Sequence, residues 1–133
     1  MRKLLAFYLC LFLILAGCSK TATEPSAQPI NPSGVYTVNY TEKSGGTCGS
    51  QTGATITITS VASTFMWDEG GTQASFGTMI CTADNCKGTV STYISGASVS
   101  YSVTITSTGM TGTQTISVTD SGACSYNVTG TKN

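Results

Sequence analysis

Residues 98–106 read SVSYSVTIT. Val99, Tyr101, Val103 and Ile105 alternate with Ser98, Ser100, Ser102 and Thr104. Side chains along a β-strand point alternately to its two faces, so this spacing sorts every apolar residue to one side and every hydroxyl to the other. A helix would scatter the same residues around its circumference. The stretch therefore predicts an antiparallel strand with one buried and one wet face.

The same period of two continues in both directions. Ile56 and Ile58 alternate with Thr55, Thr57 and Thr59; Tyr36, Val38 and Tyr40 occupy one face of GVYTVNY (34–40). Gln114, Ile116 and Val118 oppose Thr115 and Ser117, and Cys124, Tyr126 and Val128 oppose Ser125, Asn127 and Thr129. Turn-forming clusters separate the runs at Ser44-Gly45-Gly46, Gly70-Gly71, Asp84-Asn85, Ser95-Gly96 and Ser121-Gly122. Eight strands follow, over 34–43, 54–61, 63–69, 72–81, 86–94, 97–107, 112–119 and 123–132, with no helical periodicity after residue 34. Short connections favour an all-β, antiparallel up-and-down barrel, which leaves no exposed edges. A two-sheet β-sandwich is the alternative. A barrel of eight strands is only just wide enough for its own side chains, so a filled interior is expected.

The N-terminal end has a different character. Arg2 and Lys3 precede an apolar run from Leu4 to Leu15, then Ala16, Gly17 and Cys18. A short positive region, an apolar segment and small residues mark a secretory signal rather than a membrane span, which would need about 20 apolar residues. Leu15-Ala16-Gly17-Cys18 resembles the lipobox of bacterial lipoproteins. The resemblance implies cleavage before Cys18, removal of residues 1–17 with Cys10, and a diacylglycerol on the Cys18 sulfur. Two or more acyl chains would hold the protein stably at a membrane it does not span. Ser19, in place of the aspartate that the family uses for inner-membrane retention, implies the outer membrane.

Residues 19–33 read SKTATEPSAQPINPS and contain all three prolines. With little to bury, residues 18–33 are expected to form a tether, reaching about 45 Å if fully extended. Residues 34–133 then make one domain. It carries Lys43, Lys87 and Lys132 against Glu42, Asp68, Glu69, Asp84 and Asp120, a net charge of −2 with no basic cluster. That balance argues against nucleic acid as a partner.

Four cysteines remain in the domain, and export to an oxidising compartment implies two disulfides. Cys81 ends one expected strand and Cys86 begins the next. Facing residues of a hairpin lie within reach of a disulfide, so Cys81 is paired with Cys86, leaving Cys48 for Cys124. The spacing lacks the paired C-x₂-C of a zinc site, and no helix is present to support a redox pair. No metal and no cofactor beyond the covalent lipid are expected.

Evidence for catalysis is thin. The chain has no histidine, which removes the usual nucleophile triads. Asp68 and Glu69 are adjacent, so in a strand they face opposite sides; no carboxylate spacing marks a glycosidase pair. In FMWDEGG (65–71), Met66, Trp67, Asp68 and Glu69 make the most distinctive candidate contact surface, for an envelope protein or a glycan. The competing reading puts Trp67 in the core and has both acids keep the turn wet. The threonine arrays read as a solvated sheet face, and the Asn39 and Asn127 sequons as chance matches.

Gly34-Val35-Tyr36, a meander and a last strand able to pair with the first are similar to small lipocalin-like lipoprotein domains. That family places tryptophan where this chain has Tyr36, and its members are longer. The resemblance implies a barrel that carries a small apolar ligand. The expected function is thus a non-catalytic, lipid-anchored envelope protein with a structural or interaction domain, with the carrier as alternative.

Overall fold

The computed structural model describes residues 27–43, 48–61, 64–119 and 122–133. The signal segment, Cys18, most of the tether and the Ser44-Gly45-Gly46 turn lie outside the described residues, as do Asp120 and Ser121.

Eight antiparallel strands close into a barrel in sequential order: β1 (Gly34–Glu42), β2 (Gln51–Val61), β3 (Thr64–Glu69), β4 (Thr72–Cys81), β5 (Cys86–Ile94), β6 (Ala97–Ile105), β7 (Gly109–Val118) and β8 (Gly122–Lys132). The last strand pairs with the first over seven residues, from Tyr36↔Lys132 to Glu42↔Tyr126. Closure satisfies both edges that a sandwich would leave open. The alternation of 98–106 is reproduced in full, with Val99, Tyr101, Val103 and Ile105 buried inside.

Two elements are longer than the sequence pattern indicates, both for a backbone reason. β7 begins at Gly109 rather than 112 because its glycines pack instead of turning. A Cβ on Gly109 would sit 2.2 Å from the Gly130 carbonyl oxygen, so only glycine lets β7 and β8 approach there, and Gly112 packs as closely on the Ser102 carbonyl of β6. β2 starts at Gln51 because Gly53, at φ +73°, makes a bulge opposite Asn39, whose Oδ1 accepts the Gly53 N–H at 3.0 Å.

A second bulge lies in β4, between Phe76 and Thr78. It shifts the alternation by one residue. Phe76 points inward, but Ile80 turns outward and is 67% exposed, while Met79 and Cys81 pack against the core.

Both disulfides join the residues expected. Cys81 faces Cys86 across the β4–β5 turn, Cα atoms 4.0 Å apart. Cys48 joins Cys124 with Cα atoms 6.3 Å apart, tying the β1–β2 loop to the start of β8.

The chain leading into β1 is not free tether up to Gly34. Ile30 N–H donates to the Thr82 carbonyl at 2.9 Å, Tyr36 Oη donates to the Pro32 carbonyl at 2.6 Å, and Pro32 is fully buried. Lys132 Nζ reaches the Asn31 carbonyl at 3.2 Å. Residues 30–33 thereby stop one end of the barrel, beside the β4–β5 turn. The packed unit begins near Ile30, because Ile30 and Pro32 supply apolar surface that the barrel end buries.

Candidate functional site

The barrel interior is filled over one end and its middle, by Tyr36, Val38, Ile56, Ile58, Phe76, Val90, Val103, Ile105, Met110 and Val128. The opposite end, where β3–β4, β5–β6 and β7–β8 turn, is different. There the inward positions of β4 to β6 carry small side chains, Thr72, Ala74, Thr92 and Ala97. Four short side chains side by side leave a cavity of about 290 Å³, lined also by Trp67, Glu69, Ile94, Val99, Tyr101, Gln114 and Ile116. The filled interior expected from strand number is therefore correct for about half of the barrel. At the mouth, Ile94 lines the cavity yet is 37% exposed, and Val118, paired with Ala97 at the end of β7, is 42% exposed.

The floor holds a carboxylate. Period two from Trp67 puts Glu69 on the same inward face, and its two oxygens accept hydrogen bonds from Tyr40 Oη and Tyr101 Oη, one each. Gln114, only 7% exposed, donates from Nε2 to Tyr101 Oη at 2.6 Å. Trp67 packs against Tyr101 with ring centroids 4.5 Å apart and edge-on to Phe76 at 5.9 Å. Its buried Nε1 has no acceptor among the described residues. Tyr126 stacks edge-on against Tyr40 at 6.3 Å and fills the side of this end away from the cavity.

This arrangement corrects the surface reading of 65–71. Trp67 is 2% exposed and cannot contact a partner. Glu69 does not wet the turn but lines the cavity. Only Met66 and Asp68 point outward. The Met66 sulfur accepts from Ser75 Oγ at 3.1 Å, and Asp68 accepts from Gly71 N–H at 3.1 Å and from Gln73 Nε2 at 3.0 Å. The adjacent acids face opposite sides of the sheet and share no site. Tyr40, Tyr101 and Gln114 belong to no functional motif in the sequence; their signal is the alternation, which puts all three inside.

Burial, followed by the hydrogen bond to Glu69, pushes the Tyr40 and Tyr101 hydroxyls above the ordinary tyrosine value. Burial raises Tyr36 as well. An unfolded tyrosine ionises near pH 10. With the folded value higher, the stabilisation is complete below about pH 10 and is lost as pH rises beyond it. Urea unfolding across pH 8–12 should show stability falling from about pH 10, by about 1.4 kcal/mol per pH unit for each tyrosine kept protonated. Tyr40→Phe should flatten that slope. A stability unchanged to pH 12 would contradict the buried tyrosine–carboxylate cluster.

Chemically the site is a half-open apolar cup with one carboxylate at its base. The groups touching Glu69 are two tyrosine hydroxyls, and both donate to it. What it offers is apolar surface and hydrogen-bond acceptance. Comparison of the chain with family models, curated proteins and solved structures found no match.

Proposed function

We propose that the protein is a lipid-anchored cell-envelope binding protein whose barrel holds a small, mainly apolar ligand in its open end without transforming it. The observation carrying this reading is the unfilled apolar cavity at one end of an otherwise packed barrel, with Ile94 of its lining 37% exposed. A barrel built only as a scaffold gains by filling that end, at about 25 cal/mol for each Å² of apolar surface withdrawn from water. The cavity volume of about 290 Å³ sits at the lower bound of ligand sites, which pair apolar walls with a few placed polar groups. The interaction reading is the weaker one, since two of its four contact residues point inward. No cofactor enters the proposal beyond the lipid on Cys18.

Attachment rests on the Leu15-Ala16-Gly17-Cys18 pattern, and the outer membrane on Ser19. Eleven residues separate Cys18 from Ile30, a span of up to about 34 Å if extended. The chain enters the barrel at the end opposite the cavity mouth. An anchored molecule can thus present the mouth away from the lipid surface, toward solutes of the periplasm. The acidic balance of the domain supports a partner other than nucleic acid.

Native mass spectrometry of the protein extracted from its own membrane should show a bound small molecule. Repeated preparations without one would count against the carrier. In the same cells, Cys18→Ser should leave an uncleaved precursor lacking lipid; normal maturation of that variant would refute the anchor.

A further inference from the structure

We propose that the ligand carries a protonated amine, for which Glu69 is the counter-ion at the base of the cavity. This rests on the small-ligand reading above and specifies its chemistry. Glu69 is the one charged side chain among the residues lining the cavity. Its charge is met by two hydroxyls, Tyr40 and Tyr101, and not by a lysine. A carboxylate has about four acceptor positions, so two stay open after both hydroxyls are placed.

Each tyrosine spends its only O–H on Glu69, so neither has a donor left for whatever enters. A ligand anion would meet repulsion there. A neutral apolar ligand would strip water from the carboxylate without replacing its hydrogen bonds, which is costly. An ammonium satisfies the open lone pairs and neutralises the charge at a partly shielded site, where the attraction is stronger than in bulk water. The wall reinforces the choice. Trp67 and Tyr101 both line the cavity next to Glu69, and aromatic rings attract cations placed over their faces. The remaining walls, chiefly Ala74, Ala97, Val99 and Ile116, suit an apolar body of modest size.

Trp67 is the sole tryptophan of the chain, so its fluorescence reports directly on the cavity wall. Three probes of similar shape separate charge from apolar fit: phenethylamine as cation, phenethyl alcohol as neutral and 3-phenylpropionate as anion. Each is titrated into the mature lipidated protein in detergent, excited at 295 nm. The amine should bind at least tenfold more tightly than the alcohol, and the propionate more weakly than either. Glu69→Gln should weaken the amine about ten- to a hundredfold, the range of a charge-assisted hydrogen bond, and should not weaken the alcohol. Equal affinities for amine and alcohol on the native protein would overturn the amine assignment and leave the small-ligand reading standing. Absence of any response to all three probes would remove the small-ligand reading itself. If Glu69→Gln fails to fold, judged by its far-ultraviolet circular dichroism, the comparison of the three probes on the native protein still decides.

Discussion

Replacing Cys48 and Cys124 together by alanine is expected to lower the unfolding free energy by about 4.5 kcal/mol, and the same change at Cys81 and Cys86 by about 2 kcal/mol. The difference follows from loop length. The first bridge spans a sequence separation of 76 residues and the second a separation of 5, so the first removes far more freedom from the unfolded chain. The long bridge also acts on the folded side. It holds the β1–β2 loop to β8, where Glu42 further fixes it by accepting the Gly49 N–H at 3.1 Å. In a domain of this size each kcal/mol moves the melting temperature by about 4–8 °C, so the long-bridge variant should melt about 20–35 °C lower. Circular dichroism melts of both double variants check the ranking. A larger loss from the Cys81–Cys86 pair would contradict it.

Trp67→Ala is expected to cost about 3–5 kcal/mol, and Met66→Ala less than about 1 kcal/mol. Trp67 is the partition between the filled part of the barrel and the cavity, packed against Phe76 and Tyr101. Its removal merges new empty space with the cavity, and the closed ladder gives the strands little freedom to collapse into it. Met66 lies on the outer face opposite Ser75, and truncating it uncovers little of the core. Urea denaturation of the two variants measures the register of β3 directly. Comparable losses at both positions would mean that the strand is slipped by one residue.

Much of this architecture can be read from period-two alternation, because each strand buries one face and each turn is short. Tyr36, Val38, Val99, Tyr101 and Val103 are legible as core for that reason. Closure and both disulfides follow from the sequential order of hairpins. The departures have specific causes. Gly109 falls outside the expected strand yet lies inside β7, since what selects glycine there is the nearness of the Gly130 backbone, which local sequence does not encode. The β4 bulge reverses the face of Ile80, and only Gly77 hints at it. The cavity is invisible to any single segment. It arises because register sets Thr72, Ala74, Thr92 and Ala97, from three strands, around one space. Glu69 is the instructive case. Its spacing from Trp67 places it inside, whereas composition, an acid next to Gly70-Gly71, points to the turn; the alternation is the better guide.

The most direct test of the open-ended barrel is an amide NMR titration of the isotopically labelled protein with phenethylamine. Shifts should concentrate on Trp67, Ala74, Ala97, Tyr101 and Ile116, at the cavity end, and leave Ile30, Thr82 and Met110 at the stopped end unmoved. Ala97→Phe, which fills the cavity from its mouth, should abolish the shifts while the barrel stays folded. Saturable shifts centred on the stopped end, or shifts that persist undiminished in Ala97→Phe, would contradict the cavity as the binding site.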